Sequence, residues 1–210
     1  MRTGKTPRNG PLTRDFICGS GAPRAIVESA TVRLATRGGF VFRKGDTVVH
    51  PEHGAAVIEE LREREILGEK RRYFVLRVAY GDLTLMVPVD STEEVGLRQV
   101  VSKSEVKKVL DVLRQDESKM AANWSRRFKN NIEKLRSGDI YQVAEVVRNL
   151  SIRERERGLS AGEKRMITKA RQILISELAY ASAGTEEKAE AMIDKVLEES
   201  HRSRVLVAEG

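Results

Sequence analysis

A single cysteine, Cys18, in 210 residues leaves no partner for an intramolecular disulfide and fits a reducing cytoplasm. No apolar run approaches the roughly 20 residues that a membrane-spanning helix needs. No apolar stretch precedes Phe16-Ile17-Cys18-Gly19, as a lipoprotein or secretory signal would require. A membrane protein and a secreted one are both set aside. The chain also lacks a glycine-rich phosphate loop, a serine or cysteine arranged for nucleophilic attack, and a paired-carboxylate site. The expectation is a non-enzyme with no cofactor and no small-molecule substrate. His50 and His53 flank Pro51-Glu52, and with no cysteine and no third histidine nearby the spacing reads as a turn between strands, not as a metal site. Aromatic residues are equally sparse, at 5% with one tryptophan, Trp124, so the place of that indole is informative.

Charge is what the chain has in quantity. The net charge of +7 and pI near 9.6 favour a polyanionic partner, nucleic acid first and a membrane surface second. The 31 acidic residues argue against an indiscriminately basic tail.

Residues 1 to 40, rich in Gly, Arg, Thr, Ser and Pro, show no sustained periodicity and read as disordered. Two origins stand. Valine is encodable by the start codon GTG, so translation beginning at Val41 would make Arg37-Gly38-Gly39 a translated ribosome-binding site; otherwise the segment is a flexible basic arm. From 41 to about 101 the pattern is that of strands. Phe74, Leu76 and Val78 alternate with Tyr73, Val75 and Arg77, and after Gly81-Asp82 the set Leu83, Leu85, Val87 alternates with Thr84 and Met86. With Thr47 to Val49, Ala55 to Ile66 and Leu97 to Val101 this makes about five strands, enough for a small SH3-like or Tudor-like barrel.

From Ser102 the period becomes helical. Ser102 with Glu105 and Ser160 with Glu163 read as capping boxes, while Asn123, Asp139 with Gln142, and Thr185 open three more helices and Gly138 and Gly158 act as stops. The prediction is an α+β chain, a barrel followed by a bundle of about five helices over 102 to 200, with 201 to 210 frayed.

The strongest electrostatic signal is the cations of the second and fourth helices: Arg126, Arg127, Lys129, Lys134 and Arg136, then Lys164, Arg165, Lys169 and Arg171. The third helix mixes signs in Arg153-Glu154-Arg155-Glu156-Arg157 and reads as a solvated face. Trp124 continues the stripe Phe128, Ile132, and periodicity alone favours the core for it. The functional reading makes it a wedge in the minor groove or a platform for an unpaired base, with Arg126, Arg127 and Lys129 on the flanking phosphates.

Gly45-Asp46-Thr47-Val48-Val49-His50-Pro51-Glu52-His53-Gly54, Asn123-Trp124-Ser125-Arg126-Arg127-Phe128 and Arg157-Gly158-Leu159-Ser160-Ala161-Gly162-Glu163-Lys164-Arg165-Met166, in that order, resemble the CarD/CdnL family of bacterial transcription regulators, closest to actinobacterial members. The first motif alone also resembles the polymerase-interacting module of transcription-repair coupling factors. The resemblance implies a Tudor-like domain that binds the RNA polymerase β subunit and a helical domain on promoter DNA at the upstream edge of the bubble. It implies Trp124 as the wedge, phosphate contacts from Arg126, Arg127, Lys129 and Lys164, and a polymerase-facing surface that includes Arg64, Ile66 and Met86. Met86 departs from the arginine of close relatives. The function so implied is stabilisation of the open promoter complex in the cytoplasm; the alternative is a free-standing architectural DNA-binding protein whose barrel binds another protein.

Overall fold

The computed structural model describes residues 34–35, 41–66 and 68–208. The expected disorder of 1 to 40 and the question of the start lie outside the described residues, apart from the two-residue strand β1 (Leu34–Ala35), which pairs with β2 (Val41–Phe42). Strands β3 (Thr47–His50), β4 (Gly54–Ile66), β5 (Glu69–Val78), β6 (Thr84–Pro88) and β7 (Arg98–Gln99) form one antiparallel sheet in the order β6-β5-β4-β3-β7. The sequence alternation divides its faces as expected. Ile58, Phe74, Leu76, Val78 and Val87 are buried together with Val48 and Leu97.

The sheet does not close into the expected barrel. Between β6 and β7 lie a 3-10 turn, Val89–Ser91, and the four-residue helix α1 (Thr92–Val95), so neither edge strand has a second hydrogen-bonded neighbour among the described residues. A bulge between Ile58 and Glu60 shifts the β4–β5 register, beyond which the two strands run on as an arm with mostly exposed side chains.

Five helices follow: α2 (Lys103–Arg114), α3 (Trp124–Arg136), α4 (Ile140–Arg157), α5 (Ala161–Ala181) and α6 (Glu186–Ala208). Ser102 and Ser160 form full capping boxes with Glu105 and Glu163. Asp139 opens α4 as expected, its carboxylate accepting from the Tyr141 amide at 2.9 Å. Gly138 and Gly158 follow α3 and α4 at φ 73°. The apolar faces meet in one core through Val109, Leu113, Val147, Leu150, Leu174, Leu178 and Ile193. α6 continues past the fraying expected at 201. There Arg204 donates to Ser200 Oγ at 2.6 Å, and Ser200 Oγ donates to the Arg114 carbonyl at 3.0 Å, so polar contacts extend a helix whose apolar pattern has ended.

Sheet and bundle are joined at the start of β4. The Ala55 amide donates to Ser176 Oγ at 3.1 Å, and that hydroxyl donates to the Ile173 carbonyl at 2.9 Å. Gly54, at φ 76°, lies so close that a Cβ there would stand 2.4 Å from Ser176 Oγ. Nearby, Arg98 donates to both oxygens of the fully buried Glu177, whose Oε1 also accepts from the Val101 amide at 3.2 Å. The orientation of the two modules is therefore fixed by directional bonds as well as by apolar contact.

Candidate nucleic-acid interface

Trp124 is the first residue of α3, behind the cap in which Asn123 Oδ1 accepts from the Arg126 amide at 3.1 Å. Its side chain is 47% exposed, so the core reading favoured by the stripe does not hold. The indole is nevertheless fixed. It stacks on Phe128 with ring centroids 5.2 Å apart and planes at 22°, and its Nε1–H donates to Ser160 Oγ at 3.0 Å. Gly162 admits this pair to the start of α5, since a Cβ there would lie 3.1 Å from the Phe128 ring and 3.7 Å from Trp124. One edge of a rigid aromatic thus faces solvent while the other is held from two directions.

The support for Ser160 is a buried charge cluster. Glu163, 1% exposed, accepts from the Ser160 amide at 3.1 Å and from its hydroxyl at 2.8 Å. Its other oxygen accepts from Arg127 Nε at 2.8 Å, with Arg153 Nε 3.6 Å away. Burial works to raise the Glu163 pKa, but Arg127 and the two donors of Ser160 outweigh it and hold the carboxyl below its usual range.

Arg127 does not take the phosphate-facing place expected of it. It is 4% exposed, and besides Glu163 it bonds the carbonyls of Ala121 and Ala122, each at 3.1 Å, so it braces the approach to α3 and presents no charge to a phosphate. Arg153 is likewise drawn inward to Glu163 from what the sequence suggests is a solvated face.

The remaining cations separate into two groups. Lys134 pairs with Glu145 at 2.7 Å, Arg136 with Glu52 at 3.6 Å and Arg171 with Asp194 at 2.5 Å. Arg126, Lys164, Arg165 and Lys169 are exposed and have no ion pair among the described residues, and exposed Lys129 has only Glu133 at 3.9 Å. Among these cations of α3 and α5, the free charges are those at the starts of the two helices and along one side of α5.

On the sheet, Arg64, Ile66 and Met86 share one face. Arg64 stands opposite Arg71 and Ile66 opposite Glu69, while Met86 stands opposite Val75, which in turn opposes Glu60. This face turns away from the sheet's core; Arg64 is exposed, Ile66 is 47% exposed and Met86 is half-buried. The rings of His50 and His53 lie with centroids 4.9 Å apart, tilted at 60°, and His50 Nδ1 accepts from the Glu52 amide at 3.1 Å. Burial lowers the pKa of both rings.

Residues 42–101 match the family model described as the CarD-like/TRCF RID domain, and residues 108–194 that of the CarD C-terminal domain. A protein of Bacillus subtilis (strain 168), the candidate transcription factor YdeB, is 36% identical over 148 residues, covering 70% of this chain and 97% of the relative. The chain belongs to the CarD family. CarD proteins are of the transcription-factor type and are not an enzyme family. Residues 102–107, the cap and first turns of α2, separate the two matched CarD domains, and the indole with its buried support lies wholly within the second.

Proposed function

We propose that this CarD-family chain is a non-enzymatic regulator that binds the RNA polymerase β subunit and prolongs the life of the open promoter complex. The face bearing Arg64, Ile66 and Met86 is the polymerase tether. The indole of Trp124 enters the minor groove at the upstream edge of the bubble and resists reannealing, while Arg126, Lys129 and Lys164 hold the neighbouring phosphates.

One observation carries this reading: the chain's sole tryptophan is half exposed yet immobilised by Ser160 and Phe128, among cations free of internal partners. The exposed edge of the ring is available to a partner, and a ring fixed before contact loses little entropy when it inserts. Tethering supplies a high local concentration, so modest DNA affinity suffices and no base-specific readout is needed. The test is the lifetime of open complexes formed by purified cognate polymerase, with and without the protein. A longer lifetime is expected, and an unchanged one would refute the proposal.

A further inference from the structure

Tyr80 and Leu83, in the turn between β5 and β6, are 50% and 42% exposed, and Tyr80 makes no hydrogen bond to any described residue. The turn itself is fixed. The Val78 amide donates to the Leu83 carbonyl at 2.9 Å and the Ala79 amide to the Ala55 carbonyl at 2.9 Å. Because the Ala55 amide is bonded in turn to Ser176, a chain of hydrogen bonds leads from α5 through β4 to this turn.

The turn faces α5 across a groove of about 550 Å³. One wall carries Tyr80, Leu83 and Val78, the other Lys164, Arg165 and Lys169, all three without an ion pair among the described residues. The acid in the lining, Glu52, lies 3.6 Å from Arg136. Lys164 is one helical turn from Ser160, the partner of the indole, so one end of the groove is beside Trp124. Beyond Tyr80 a second depression is lined by Glu186, Glu187 and Glu190 and by Arg171, which lies 3.7 Å from Glu190; the acids outnumber the cation and bound the track.

We infer that this groove takes an unpaired nucleic-acid strand, its phosphates on Lys164, Arg165 and Lys169 and a base stacked on Tyr80. The inference rests on the reading of Trp124 as a wedge and adds a second aromatic contact, contributed by the sheet. Cations along one wall and an exposed aromatic on the other are what single-strand sites combine, and only an unpaired strand has a base face to offer. The rigid junction at Ser176 then has a purpose, because the groove is assembled from both modules.

The test is fluorescence anisotropy with the full chain, comparing a blunt DNA duplex with the same duplex carrying an unpaired arm. Tyr80→Ala is expected to weaken binding to the forked DNA about tenfold or more, through lost stacking, and to change blunt-duplex binding by less than about twofold. Tyr80→Phe is expected to keep the forked affinity. Wild-type affinity in Tyr80→Ala, while Trp124→Ala and Lys164→Gln still weaken forked binding, would overturn the groove and leave the wedge standing. Equal loss in Tyr80→Phe and Tyr80→Ala would overturn stacking. Indifference of forked binding to all of these variants would instead overturn the wedge reading on which the inference rests.

Discussion

Arg127 and Glu163 form a buried ion pair of 2.8 Å, one hydrogen bond removed from Ser160, the residue that holds the indole of Trp124. The exposed ring and the buried pair are parts of one construction that locks the start of α3 against the start of α5. Removing Arg127 leaves Glu163 buried without its main counter-charge, so Arg127→Leu is expected to cost about 3–5 kcal/mol of stability. Urea denaturation measures this. Loss of DNA binding in that variant is expected to track unfolding, whereas Arg126→Ala is expected to lose DNA affinity at unchanged stability.

The same pair gives a pH dependence with a definite sign. The Glu163 pKa is lowered in the folded protein, so its contribution to stability is fully present above the ordinary glutamate value, about 4.3, and is lost as pH falls through the folded value. Glu163→Gln is therefore expected to be less stable than wild type near neutral pH, the gap narrowing below about pH 4. Denaturation curves of both proteins across pH check this; a gap that is constant with pH would contradict it.

Free and paired cations are expected to separate in a salt titration. Arg126→Gln and Lys164→Gln each should reduce the slope of log affinity against log salt on duplex DNA by about 0.9. Lys134→Gln, whose charge is engaged by Glu145, should leave the slope nearly unchanged.

Gly54→Ala is expected to loosen the junction of sheet and bundle. It imposes a left-handed conformation on alanine and sets a Cβ 2.4 Å from Ser176 Oγ, each effect worth about 1–2 kcal/mol. Adding Ser176→Ala removes that clash but also the acceptor of the buried Ala55 amide, and leaves the Cβ 3.1 Å from Ile173 Cα, so the double variant is expected to melt no higher than Gly54→Ala. Calorimetric melting of the single and double variants checks this.

Much of the fold is legible in the sequence because it follows from repeating patterns. Alternation at Phe74, Leu76 and Val78 specifies a strand face, and Ser102 and Ser160 with their glutamates specify helix starts. The open sheet is not legible, since alternation reports faces and is silent on whether edge strands meet. Nor is the role of Arg127, because a cation beside exposed cations looks the same until its partner, 36 residues away, is in place. The two residues that fix the junction carry a faint signal: Ser176 and Glu177 interrupt an otherwise apolar stretch of α5, and buried polar groups inside such a stretch require partners. Trp124 continues an apolar stripe and yet is half exposed, because a first-turn residue can follow the helical period while lying beyond the edge of the core.

On the sheet, Arg64→Glu is expected to weaken binding to the polymerase β subunit at unchanged melting temperature, because the residue is exposed and outside the core. Met86→Arg should strengthen it if the arginine of relatives makes a charge-assisted contact. Equal β-subunit affinity in Arg64→Glu would remove that residue from the tether.

The most direct test of the wedge is the open-complex lifetime with Trp124→Ala, measured with purified cognate polymerase beside wild type and a protein-free control. The substitution removes one ring stack, one hydrogen bond and the burial of about half a side chain, so it is expected to cost less than the loss of about 3–5 kcal/mol for a core tryptophan. The variant is therefore expected to remain folded and bound to polymerase while the lifetime falls most of the way to the control. A folded, polymerase-bound variant that prolongs the open complex as well as wild type would contradict the wedge.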